Sequence, residues 1–158
     1  MTMTIYAERS VTLVRVIKAP RDLVWNAWTD VAMLKEWWGP EQFTNPRVEG
    51  DVRVGGVMHI TMHGPKGSPF DIDFPMVKRY REVVLGKKLV FDNEPLGPNG
   101  EKLMEGLTVV TFESHPEGTL VEVTTSAKAL VPEAVGMLGG MDQGWSQSLD
   151  KLARLLEK

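Results

Sequence analysis

A chain of 158 residues with 42% hydrophobic and 25% charged residues has the size and balance of one ordinary globular domain spanning residues 1–158, which argues against disorder and against a membrane class. Eighteen basic against twenty-one acidic residues leave a net charge of −3, without the basic stripe that nucleic acid requires of a partner. There is no cysteine, so disulfides, thiolate nucleophiles and cysteine-ligated metals are excluded together. The first ten residues hold no signal segment and no apolar run reaches the length of a bilayer span, so a cytoplasmic protein is expected.

Arg9 to Ile17 is rich in β-branched residues and ends at Ala19-Pro20, which predicts a strand. A helix follows at once, with Pro20 suited to its start, Asp22 to the positive end of its dipole, and Leu23, Val24, Ala27 and Trp28 on one face. Asp30 can cap a second short helix carrying Met33, Leu34, Trp37 and Trp38, which Gly39-Pro40 stops.

The hydrophobic period then changes from helical to two. In Val57 to His63, Met58, Ile60 and Met62 point one way and His59 and His63 the other. Strands also fit Phe70 to Val83, Lys88 to Phe91, Leu107 to Glu113 and Leu120 to Ala127, with Pro75 marking an edge or an early break. From Pro132 onward the helical period returns, with Leu138, Met141, Trp145, Leu149, Leu152 and Leu156 on one stripe. A single helix of about 25 residues would span on the order of 37 Å. Its glycines at 136, 139, 140 and 144 each cost up to about 1 kcal/mol relative to alanine, so they signal either close approach to the sheet or space beside it. The fold class is therefore α+β: an antiparallel sheet of six to seven strands wrapped around a long C-terminal helix, with two short helices after the first strand.

Several stretches, in this order, carry a resemblance. Arg15-Val16-Ile17-Lys18-Ala19-Pro20 runs into Val24-Trp25-Asn26-Ala27-Trp28, followed by Trp37-Trp38-Gly39-Pro40 and Asp51-Val52-Arg53-Val54-Gly55-Gly56. Further on come Tyr80-Arg81-Glu82-Val83-Val84, Leu89-Val90-Phe91, Thr108-Val109-Val110-Thr111-Phe112 and Gly144-Trp145. Together they resemble proteins similar to the activator of the Hsp-90 chaperone's ATPase, over about Thr12 to Leu156. The resemblance implies a helix-grip fold of the START and Bet v 1-like (SRPBCC) superfamily, whose members often hold hydrophobic ligands. The family often has glycines where this chain has Val77-Lys78.

Five tryptophans and several methionines border the expected interior: Trp25, Trp28, Trp37, Trp38, Trp145, Met58, Met62, Met76, Met137 and Met141. With Ile60, Phe91 and Leu138 they form either a packed core or an adaptable ligand lining, and periodicity does not distinguish the two. Arg15 and Tyr80 are the suggestive polar residues, because a guanidinium or phenol inside the cup would hydrogen-bond a ligand's carboxylate or carbonyl.

His59 and His63 sit about 13 Å apart on a strand and do not chelate one metal. Asp71 and Asp73 alternate with Phe70, Ile72 and Phe74, as solvated charges do. No nucleophile elbow, phosphate loop or dinucleotide fingerprint is present. The leading expectation is binding of a small apolar or aromatic molecule, without cofactor, metal or membrane span. An enzyme of cyclase or hydrolase type would use the same cavity with Arg15, Tyr80 or Glu49 as proton donor. An interaction protein, chaperone-associated, stress-related or homodimeric, would instead expose Trp37 and Trp38 as a patch.

Overall fold

The computed structural model describes residues 4–157. Its elements follow the order strand, two helices, six strands and C-terminal helices: β1 (Ala7–Ile17), α1 (Arg21–Thr29), α2 (Val31–Trp37), β2 (Thr44–Gly50), β3 (Val57–His63), β4 (Asp73–Val84), β5 (Lys88–Pro95), β6 (Met104–His115), β7 (Gly118–Ala129), α3 (Val135–Leu138) and α4 (Met141–Leu156). The strands form one antiparallel sheet in the order β1-β7-β6-β5-β4-β3-β2, so the first strand closes onto the last and β1 and β2 are the edges.

Local chemistry explains the breaks. Asp30 accepts hydrogen bonds from the Ala32 and Met33 amides at 2.8 and 3.2 Å, capping α2 as expected. At the β6–β7 turn, Gly118 has φ +143°, and a Cβ there would lie 2.1 Å from the Ile17 carbonyl oxygen. Only glycine lets this hairpin pass over the end of β1. The Pro75 carbonyl accepts from the Leu96 amide, so its missing N–H faces β5 where the β4–β5 ladder ends, at Met76 and Pro95. A proline is tolerated inside this sheet because the ladder asks for no donor from its nitrogen at that point.

Alternation sorts each strand into a concave and a convex face. Met58 and Ile60 on β3, Met76, Lys78 and Tyr80 on β4, Leu89 and Phe91 on β5, Val110 and Phe112 on β6, and Val121 and Val123 on β7 are all buried. α1 and α2 plug one end of this cup, where Trp25 meets Phe112 edge-on at 5.3 Å and Trp28 meets Trp37 at 4.7 Å.

Three features differ from the sequence expectation. The helix expected from Pro132 to the end is broken: α3 stops at Gly139, Gly140 caps α4, and Lys158 lies outside the described residues. α4 is therefore 16 residues, about 24 Å, and it spans part of the cup rather than all of it. The strand expected from Phe70 begins at Asp73, leaving Phe70 and Ile72 exposed in the preceding turn. The edge strand β2, which carries Pro46 and buries little besides Asn45 and Val48, has no apolar alternation to announce it.

Candidate functional site

Between the sheet, α4 and the segment that follows α2 lies a cavity of about 180 Å³. Its walls are apolar. Met62 and Met76 come from β3 and β4, Met104 from β6, Met141 and Trp145 from α4, and Trp38 and Pro40 from the segment after α2. Gly144 and Ser148, one helical turn apart on α4, form the roof, and the Ser148 hydroxyl donates to the Gly144 carbonyl at 2.9 Å.

The glycines of the C-terminal region answer differently from one another. Added Cβ atoms at Gly136, Gly139 and Gly140 would meet little or nothing, so no close approach to the sheet requires them. Gly144 faces the cavity, and a Cβ there would touch only Pro40, at 3.8 Å.

α4 is held above the sheet by polar clasps along both sides. Toward β1, Arg15 donates to Asp150 and Ser146, each at 2.6 Å, and Arg9 donates to the Leu138 and Gly139 carbonyls at 2.8 and 3.1 Å. Toward α2, the Lys151 ammonium faces four carbonyls, of Trp38, Gly39, Pro40 and Phe43, at 3.3 to 3.5 Å, and Arg154 pairs with Glu41. Desolvation by these neighbours holds the Lys151 pKa below the usual lysine range. Fixed at its flanks, the helix bridges the cup instead of sinking into it.

In the floor and behind it lie polar side-chain atoms without a hydrogen-bond partner among the described residues. Asn93 donates to the Thr108 hydroxyl, which bonds Thr125 at 2.8 Å, yet the Asn93 Oδ1 has no partner among the described residues. Lys78 lies beside Asn93 across the β4–β5 ladder, its side chain fully buried. Its Nζ sits 3.4 Å from the Trp38 ring centroid and 4.5 Å from that of Phe91, without a hydrogen-bond partner among the described residues. A desolvated cation–π contact contributes about 2 kcal/mol, whereas burying an unpaired ammonium costs several kcal/mol. Desolvation wins, and it holds the Lys78 pKa well below the usual lysine range. Tyr80, two residues on, is also buried with its hydroxyl unpaired, and burial pushes that phenol up so that it stays protonated.

Sequence reasoning had gathered fourteen residues around one interior, and the structure divides them. Trp38, Met62, Met76, Met141 and Trp145 border the cavity. Trp25, Trp28, Trp37, Met58, Ile60, Tyr80 and Phe91 are packed in the main core, and Leu138 belongs to a smaller cluster with Met104, Ala127, Ala129 and Ala134. Arg15 shares the concave face with Leu13 and Ile17, but its guanidinium is committed to α4. Glu49 is exposed and paired with Arg47, and Met137 is exposed as well.

Trp37 and Trp38 are buried, so they form no surface patch. His63 hydrogen-bonds Asp73 and Asp71 at 2.8 and 2.6 Å, joining residues that had been read separately. No cluster of three or more metal-ligating side chains occurs among the described residues.

Lys78 was missed, although the alternation that set Met76 and Tyr80 on one face necessarily included it. Asn93, Met104 and Thr125 were missed too, since nothing in their local pattern distinguishes a cavity wall from a filled core.

A seven-stranded antiparallel sheet gripping a C-terminal helix, with short helices closing one end, defines a helix-grip protein of the START and Bet v 1-like class. Within that class, the family described as Activator of Hsp90 ATPase homolog 1-like protein matches residues 18–157, and the chain belongs to it. Solved structures agree on the fold. A protein from Chromobacterium violaceum is 26% identical with a TM-score of 0.76, covering 94% of this chain and 97% of that one. An uncharacterized protein from Rhizobium leguminosarum is 22% identical with a TM-score of 0.81, covering 96% and 95%. A protein of the same family from Silicibacter pomeroyi is 20% identical with a TM-score of 0.75, covering 94% and 98%. No curated protein matches the chain. Among the described residues no helix is long and apolar enough to cross a membrane.

Proposed function

We propose that the chain is a binding protein that takes a small apolar or aromatic molecule into the cavity between the sheet and α4. One observation carries this reading: about 180 Å³ of space walled by four methionines and two tryptophans. An engineered apolar cavity of about 150 Å³ stays dry and binds benzene, so this volume suits a single ring with a small substituent. Unbranched, polarizable methionines adapt to differently shaped guests. Asn93, Thr125 and Ser148 give the guest a few polar positions to orient against.

Ligand-detected NMR and thermal shift with toluene, indole and short fatty acids test the reading. Saturable binding of at least one probe is expected, with loss of binding in Gly144→Leu, whose side chain projects into the cavity. Absence of any shift or saturation transfer across the set overturns it. The reading also carries a cytoplasmic setting, which cell fractionation checks. An enzyme using the same cavity retains one support, the interior position of Tyr80 and Lys78.

A further inference from the structure

We propose that Lys78 is a covalent carbonyl-binding site, forming a reversible imine with an aromatic aldehyde or ketone held in the methionine cavity. The inference rests on the cavity-binding reading and names the class of guest.

Geometry carries it. Lys78 follows Met76 on the same face of β4, and Met76 lines the cavity. Its register partner Asn93 also lines the cavity. The Trp38 indole, against which Nζ rests at 3.4 Å, is part of the cavity wall. One indole ring therefore stands between the amine and the guest, and imine formation requires that ring to swing aside. The amine is fully buried and has no hydrogen-bond partner among the described residues.

The charged groups of the neighbouring elements point elsewhere. Arg79 and Glu94 pair with each other on the convex side of β4 and β5, His59 is exposed on β3, and Lys151 of α4 faces backbone carbonyls. No carboxylate among the described residues forms an ion pair with Lys78 to hold it as an ammonium. Burial without a counter-charge favours the neutral amine, the state that condenses with carbonyls.

The step is balanced without a further reactant. The Nζ lone pair forms a C–N bond to the carbonyl carbon as the C=O π pair moves to oxygen. One amine proton transfers to that oxygen, giving a carbinolamine. Loss of the hydroxyl with the second amine proton releases water and leaves the C=N bond. The Oδ1 of Asn93, the register neighbour of Lys78, has no partner among the described residues and is an acceptor for the carbinolamine hydroxyl.

The full chain is incubated with benzaldehyde and sodium cyanoborohydride, and benzylated lysines are mapped by peptide mass spectrometry from pH 6 to 9. Toluene binding, which needs no amine, is measured in parallel. At pH 7 Lys78 is expected to carry at least about tenfold more label than any other lysine, Lys151 included. Surface amines fall about tenfold per pH unit on acidification while Lys78 does not. Lys78→Met, its folding confirmed by Tm, loses that label, and Gly144→Leu loses both label and toluene. Toluene binding with no preference for Lys78, or equal labelling of Lys78 in Gly144→Leu, overturns the inference and leaves the cavity reading standing. Failure of both toluene binding and Lys78 labelling overturns the two together.

Discussion

At the α1–α2 end of the cup, Trp25, Trp28, Trp37 and Phe112 pack edge to face, with centroids 4.7 to 6.0 Å apart and almost no exposed surface. Beyond Trp38 and Trp145, Met62, Met76, Met104 and Met141 surround empty space. Both regions are built from large apolar residues, so composition does not separate them. What differs is the covering element. α1 and α2 are short, pack against each other and fit into the cup, whereas α4 is held by Arg15, Lys151 and Arg154 at its flanks and roofs the cavity with its first turns. A cavity in this fold is a matter of how the helix is hung.

The sharpest way to break that contrast is truncation in each region. Trp28→Ala should lose about 3–5 kcal/mol, since the ring is fully enclosed and its aromatic neighbours cannot collapse into the space. Met76→Ala, beside space that already exists, should cost about 2 kcal/mol, the low end for a buried methionine. Denaturant unfolding measures both, and equal losses would mean the two regions are packed alike. Lys78→Met tests the buried amine behind the Trp38 wall. Replacing an unpaired buried amine with an apolar side chain of similar length should raise stability by about 1–3 kcal/mol, seen as a higher denaturant midpoint.

Much of the fold was legible because its signals are local. Alternation in Val57 to His63 sets Met58 and Ile60 inward and His59 outward, and the Asp30 cap follows from residue type and position. β2 was not legible: with Asn45 and Val48 as its buried residues, its strand character comes from pairing with β3 rather than from any hydrophobic period. The site was legible only as a list of apolar residues. Whether Trp28 or Trp145 faces a guest depends on the height of α4, which is decided by ion pairs between residues more than 110 positions apart. Lys78 shows the same limit from the other side. Its face could be read, but a lysine on a concave face is expected to reach out to water, and only the closed wall of Trp38 and Phe91 prevents it.

Gly144 tests the roof. Leucine there gains helix propensity of nearly 1 kcal/mol over glycine and meets only Pro40 at its Cβ, so stability should rise by up to about 1 kcal/mol while toluene binding falls. A loss of stability instead would show that the roof sits closer to the floor than the cavity implies. The smallest effect is expected at the rim, where His63 adjoins the cavity residue Met62 and ties Asp73 and Asp71 across the turn before β4. Hydrogen bonds to Asp73 first, and then to Asp71, raise the His63 pKa above its ordinary value of 6.5. A raised folded-state pKa means that the charged form is preferred in the folded protein, so the clamp contributes fully below the unfolded value and its contribution is lost as pH rises through the folded one. Tm of the wild type relative to His63→Gln should therefore be greatest near pH 5.5 and shrink by pH 8.5. A difference that does not change over this interval would mean that the imidazole is held by packing alone, and that the rim, unlike the flanks of α4, is not fastened by charge.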